Sequence, residues 1–481
     1  MMRTGFGHYT GTDLPVKMRI FSADYFGERS LWPLFVILAL FFPWHGTQAQ
    51  TFSADPATYR SMLSLLKPGD TLSLRSGTYE DGLSVARLHG RVGEPIIITG
   101  PEEGFPAIFL GSQNKSRNTI QIRDSSYVTI RNLKLDGMGI ADIDAVNARG
   151  ITHHITIENL KILRHGGNQL TVGIATRGPA WNWVIRRNLI VGAGTGMYLG
   201  NSNGAAPFVA GLIEGNVVLH TLGYNLQIKH QKPRPQGAGL PKGQNTTIIR
   251  HNVFSKAENA AMGDRWARPN VLLGHWPLQG EGQDDQYLVY GNFFYQNPSE
   301  ALFQGEGHIA FYNNLLVNDA GTALNIQKHN DKPRRIDIFQ NTIVARNTGI
   351  RVHHGVAGYV QRVVANAVFA STPLRLAPSV QKQDNFSGTY RSASSLLGSP
   401  QDEPGELDLF PKSAKLRGSP IDMSPFTRFE DWGQDFDGAP RSGMYRGAYE
   451  GGRGGAAWFP ELAQKPLLPN APVKRGRIED R

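Results

Sequence analysis

The chain has no cysteine among its 481 residues, which excludes disulfide bridges, thiolate metal sites and thiol nucleophiles. Charged residues are sparse at 19%, and the long amphipathic periodicity of a helical bundle is missing. A membrane-spanning run is missing too, since the apolar stretch Leu31 to Pro43 holds thirteen residues where a span needs about 20. With basic residues before it and Thr47-Gln48-Ala49 after it, that stretch reads as a signal peptide cleaved near Ala49. Met18 is a second candidate start. The product is expected in the periplasm or outside the cell, free of the membrane after cleavage and monomeric. The formal charge is +10; residues 1–49 carry four basic and three acidic side chains, so about +9 stays on the mature body. An exported basic protein meets anionic polymers rather than nucleic acid.

Glycine is abundant, at 55 residues, beside 29 prolines, a composition of many short strands and turns. Asparagine is placed with regularity. Ile213-Glu-Gly-Asn216-Val-Val, Ile249-Arg-His-Asn252-Val-Phe, Val289-Tyr-Gly-Asn292-Phe-Phe, Phe311-Tyr-Asn-Asn314-Leu-Leu and Ile338-Phe-Gln-Asn341-Thr-Ile repeat one pattern. It extends to Asn132, Asn159 and Asn188 on one side and Asn366 on the other, with gaps of 27, 29, 28, 36, 40, 22, 27 and 25 residues. Short β-branched or aromatic pairs on either side of a turn residue describe a strand, a tight corner and a second strand. The period predicts an all-β, single-stranded, right-handed parallel β-helix. Asparagine suits a left-handed corner, and stacked asparagine amides form a hydrogen-bonded ladder.

The predicted order is a signal peptide over 1–49, an N-terminal cap and first coils over 50–125, repeats over 126–376, a closing segment over 377–450 and a disordered tail over 451–481. Tyr59, Met62, Leu63 and Leu66 give helical spacing over residues 56–66, with Asp55 as cap, to cover the open end of the solenoid. Gly192-Ala-Gly-Thr-Gly196 is a coil corner, because its spacing is not that of a dinucleotide loop. His153 and His154 read as solvated turn residues. Asp284 and Asp285 bind calcium only with a third carboxylate nearby.

The capping helix, the Pro68-Gly69-Asp70 turn, Gly77-Thr78-Tyr79 and the Pro95-Ile96-Ile97-Ile98 strand resemble the opening of right-handed β-helix polysaccharide lyases of the chondroitinase B and alginate lyase kind. The stretches Leu407-Asp-Leu409, Ser419-Pro-Ile-Asp422 and Asp435-Phe-Asp-Gly-Ala-Pro-Arg441 are similar to a C-terminal segment of many secreted β-helix proteins.

Twelve to fifteen residues after each asparagine, the coils hold Lys229 and His230, Asp264 and Arg265, Gln304 and Glu306, Lys328 and His329, then His353 and His354. Turn positions are most often simply solvated. In one register, at about 4.8 Å per coil, these side chains line a single edge of the solenoid. Eliminating a uronate needs a base, a cation beside the carboxylate and an acid for the leaving oxygen. Lys229, His230, Arg265, Lys328 and His329 supply those types. The resemblance implies a lysine base with an arginine on the next coil, and Lys229 with Arg265 matches that best. It also implies calcium held by asparagine and acidic side chains, for which this chain lacks a clear ligand cluster. Glu306, His353, His354, Trp266 and Trp276 are candidate substrate contacts. The expected partner is an anionic, uronate-containing polysaccharide. The alternatives are an epimerase sharing the proton abstraction, a hydrolase using Asp264 and Glu306 as its two carboxylates, and a protein that binds polysaccharide without turnover.

Overall fold

The computed structural model describes residues 48–112, 118–235, 237, 239–263, 265–412, 414–452 and 454–466. The signal segment therefore lies outside the described residues, apart from its last two positions, and so does Asp264. From Thr51 onward, parallel strands stack coil upon coil into a β-helix. In chain order each coil runs through three faces. Face A includes Leu226–Ile228, Val271–Leu273 and Phe303–Gly305. Face B includes Leu212–Glu214, Thr246–Arg250 and Gln286–Tyr290. Face C includes Val217–Leu219, Val253–Ser255 and Phe293–Tyr295. Alternation aims every second side chain inward. Ile185, Ile213, Ile249, Val289, Phe311, Ile338 and Val363 consequently stack as one fully buried column behind face B.

The corner between faces B and C holds the ladder. Asn252 donates from Nδ2 to Asn292 Oδ1 at 2.9 Å and to Ile213 O at 2.9 Å. Its Oδ1 accepts from both the backbone N–H and the Nδ2 of Asn216, each at 2.9 Å. The same pattern links Asn188, Asn216, Asn252, Asn292, Asn314, Asn341, Asn366 and, one coil further than expected, Asn385. The left-handed conformation belongs to the residue before each ladder asparagine: Arg187, Gly215, His251, Gly291, Asn313, Gln340, Ala365 and Asp384 have φ between +50° and +65°. Asn132 and Asn159 occupy that outer slot, at φ +59° and +52°, and the core residues Leu133 and Leu160 take the inner one. The 29-residue gap in the asparagine spacing was this one-residue slip.

The N-terminal helix is shorter than its spacing predicted, Tyr59–Leu63. Asp55 accepts the backbone N–H of Ala57 at 3.0 Å and of Thr58 at 3.1 Å, and Tyr59 packs edge-on against Tyr79 and Phe109.

The C-terminal segment braces the flank of the solenoid rather than its end. Around the asparagine corner the outward side chains are themselves apolar: Tyr290, Tyr312 and Phe339 on face B, and Val253, Phe293 and Leu315 on face C. Left open, they would make a contiguous exposed hydrophobic patch, which calls for a cover. Phe426 stacks on Phe339 at 4.2 Å, Tyr312 Oη donates to Glu430 O at 2.6 Å, and Trp458 meets Phe293 edge-on. Residues 454–466 thus belong to the fold, contrary to the expected disorder from 451 onward. Lys465 is buried, with its ammonium donating to Phe436 O at 2.6 Å; 467–481 lie outside the described residues.

Candidate functional site on face A

Face A differs from the corner because its outward side chains are mostly polar. Along its middle they run Gln121, Asn147, Ala175, Tyr198, Gln227, Leu272, Gln304, Asn325, Arg351 and Arg375. At the exit edge, one position past each inward residue, stand Arg123, Arg149, Arg177, Gly200 and Lys229 on five successive coils. Gly200 has φ +88°, and a Cβ there would come 3.3 Å from Lys229 Cβ. The missing side chain opens a gap into which the neighbouring cations lean. Two of them meet over Tyr198, with the Arg177 guanidinium 4.7 Å and the Lys229 ammonium 5.7 Å from the ring centroid. At the entry edge, Arg268 lies 5.9 Å from the centre of the Tyr224 ring.

Electrostatics set the protonation of this group. Lys229 is half-buried, and desolvation lowers its pKa against the opposing pull of Glu306. Burial raises Tyr198, so its hydroxyl keeps its proton. Asp144 is buried behind them, accepting from Asn147 Nδ2 at 2.7 Å and the Val172 N–H at 2.7 Å, with Arg177 at 3.5 Å. It thereby holds the guanidinium that also lies over Tyr198. Burial raises the pKa of Asp144 against these contacts.

The expected edge residues divide into two groups. Lys229, His230 and His329 come together with His275 and Lys232, and burial followed by Lys229 and then His329 lowers the His230 pKa. A Cβ on Gly274 would sit 2.3 Å from the His230 backbone nitrogen, so only glycine lets the next coil stack against this pair. Arg265 does not join them. Residues 256–270 are inserted before the strand Val271–Leu273, so Arg265 and the 49% exposed Trp266 stand at the entry edge. There the guanidinium lies 5.3 Å from the Trp266 ring, and Gln169 Nε2 donates to Trp266 O at 2.8 Å. The position in register with Lys229 is Gly274, followed by His275. A fixed offset from the asparagines failed because the insertion shifted the count without shifting the strand.

Two expected substrate contacts point elsewhere. Trp276 is 1% exposed and stacks on Tyr287 at 4.2 Å inside the core. Glu306 is fully buried, and its carboxylate accepts the backbone N–H groups of His329 at 2.8 Å, Asn330 at 2.8 Å and Asp331 at 3.0 Å. It builds the turn that carries exposed Lys328 and His329, and its oxygens are not turned to solvent. His353 is half-buried and His354 exposed, further along face A beside Arg351 and Arg375. His153 and His154 are not solvated turn residues. His153 stacks on Trp181 at 4.6 Å and His154 on Tyr127 at 4.2 Å, and burial pushes His153 down to about 4. Asp285 is buried against Arg234. Among the described residues, no group of three or more histidine or acidic side chains is placed to hold a metal ion.

Counting from the asparagines missed Arg123, Arg149, Arg177 and Tyr198, yet a signal was there. Ile120-Gln-Ile-Arg123, Val146-Asn-Ala-Arg149, Ile174-Ala-Thr-Arg177 and Leu226-Gln-Ile-Lys229 each end a face A strand with a cation.

No protein-family model matches the chain, and no curated relative matches its sequence. Among solved structures, the chain is similar to the GH136 lacto-N-biosidase from Eubacterium ramulus, at 11% identity over 71% of this chain and 68% of that one, with a TM-score of 0.49. It is similar to the pectate lyase Pel9A at 12% identity, over 86% of this chain and 95% of that one, with a TM-score of 0.42. It is also similar to an alginate lyase from Paenibacillus at 15% identity, over 70% and 99% of the two chains, with a TM-score of 0.30.

Proposed function

We propose that the protein acts on an acidic, uronate-containing polysaccharide by β-elimination at face A. The observation that carries this reading is the Arg177–Tyr198–Lys229 group, a guanidinium and an amine gathered on one tyrosine ring with the lysine partly desolvated. In the elimination, a base takes the proton from the carbon beside the carboxylate. The freed electron pair forms the new carbon–carbon double bond as the adjacent carbon–oxygen bond breaks, and the leaving oxygen collects a proton. Neutral Lys229 is the base in this reading, because its lowered pKa raises the fraction of free amine near neutral pH. Arg177 pairs with the substrate carboxylate, whose negative charge grows in the transition state, and a guanidinium fork matches that group. Tyr198, held protonated by burial, supplies the proton to the leaving oxygen. Trp266 at the entry edge offers an exposed ring for a sugar to stack on.

The test is to incubate the protein with alginate, polygalacturonate, chondroitin and heparin-type chains and follow ultraviolet absorbance from the unsaturated product. Turnover is expected to rise with pH as Lys229 loses its proton, in a range below the ordinary lysine value of 10.5. New reducing ends without absorbance would replace elimination with hydrolysis. A changed sugar configuration without cleavage would make the protein an epimerase, and retention without any product would make it a binding protein. The hydrolase reading loses its expected pair, since the Glu306 carboxylate is consumed by backbone donors.

A further inference from the structure

The cations on face A continue past the group that performs the proposed chemistry. Arg123, Arg149 and Arg177 follow one another on consecutive coils, Arg123 and Arg149 as direct register partners and Arg177 through its backbone N–H to Ala148 O. From Arg123 to Lys229 there are four coil steps, roughly 19 Å at about 4.8 Å each. One coil step is of the same order as the ring-to-ring repeat of an extended pyranose chain. Arg123 and Arg149 are exposed. Asn147 orients the second of them, accepting from Arg149 Nε at 3.2 Å, while Gln121 donates to Asn147 O at 2.8 Å. Residues that only needed to be soluble would not have to repeat one sign at one position of the coil.

The column ends at a cleft of about 550 Å³ between the N-terminal helix and the first coils, lined by Arg60, Asp81, Asn118, Gln121 and Arg123 among others. Arg60 pairs with Asp81 at 3.3 Å on its wall. The lining offers guanidinium and carboxamide donors with a carboxylate acceptor, the groups that recognise sugar hydroxyls and an acidic substituent together. Leu63 and Leu83 add apolar surface for a ring face.

We infer that the arginine column and this cleft form an extended binding arm for a polysaccharide bearing an anionic group on successive rings, so that the chain runs along the solenoid axis from Lys229 to the N-terminal cap. The inference rests on the reading of face A as a polysaccharide site, and it adds the direction, the length and the far end of that site. The anionic group is a carboxylate or a sulfate. Arginine binds both through paired N–H donors.

The experiment measures binding without turnover, using the full-length mature protein, by titrating size-defined oligomers of polygalacturonate and of heparin at several salt concentrations. Arg123→Ala with Arg149→Ala is compared with Arg391→Ala, a charge removed from the C-terminal segment. The double variant is expected to weaken long oligomers by about ten- to a hundred-fold while disaccharide affinity stays within about twofold, and to flatten the salt dependence of the long chains, because fewer counterions are exchanged. Preference for polygalacturonate over heparin oligomers, which carry both groups, assigns carboxylate, and heparin binding that is lost on desulfation assigns sulfate. Equal affinity of the double variant and Arg391→Ala for long chains would overturn the arm. Failure of every acidic oligomer to bind the unaltered protein would instead overturn the polysaccharide reading beneath it.

Discussion

The asparagine corner and face A are built by the same coils and are finished in opposite ways. At the corner one residue type recurs, the amides from Asn188 to Asn366 are buried and paired, and the outward apolar side chains lie under the C-terminal segment. On face A the strands recur but the outward residues change from coil to coil: most are polar, and the cations at the exit edge reach solvent while Asn147, Gln227, Gln304 and Asn325 along the middle are buried. Repetition marks what stacking requires of every coil, and departure from it marks what only a few coils must do. The conspicuous motif of the sequence is therefore structural, and the proposed chemistry lies where the pattern is broken.

Substitutions on the two sides of that contrast should separate cleanly. The largest effect is expected for Lys229→Ala, which should lower turnover of an acidic polysaccharide by about two to four orders of magnitude with melting unchanged, since it removes the proposed base from a half-exposed position. Loss of melting together with activity would put Lys229 on the structural side. Asn252→Val should do the reverse. It leaves the Asn216 N–H and Nδ2 without their acceptor, so unfolding should become easier by about 3 kcal/mol in chemical denaturation, with turnover per folded molecule retained. Unchanged denaturation would remove the ladder from the stability account.

A smaller effect should appear in the pH dependence of stability. Burial pushes Lys465 and Lys256 down to about 7 from the ordinary 10.5. Between those values the unfolded chain binds more protons than the folded one, so stability rises with pH, and the full cost of charging these amines is present below about pH 7. Melting followed from pH 7 to pH 10 should show that rise, and Lys465→Met should flatten part of it. An identical slope in the variant would mean that Lys465 is as solvated when folded as when unfolded. The smallest change is expected for Arg265→Ala, with turnover within about threefold of the parent and stability within about 0.5 kcal/mol, because its guanidinium rests on exposed Trp266 at the opposite edge from Lys229. A loss matching that of Lys229→Ala would show that the two edges meet on one sugar ring.

The sequence by itself determined the solenoid, because alternating apolar strands and a corner residue recurring at every turn admit few other folds. It determined a helix near the N-terminus, although Asp55 closes the turn before that helix and Thr58 stands at its N-cap, and it placed Lys229 beside a coil edge as well. Which residues share that edge was decided only by the tertiary structure. Sheet pairing is set strand against strand, so the insertion at 256–270 moved Arg265 off the edge while Arg177, a coil before the first one aligned, stands two steps from Lys229. Burial was equally hidden. Trp276 and Glu306 look like contacts in one dimension, but the ring completes the core beside Tyr287 and the carboxylate closes a turn. The tail held the same surprise, because the apolar outward faces that Trp458 and its neighbours cover exist as a patch only once the coils have stacked.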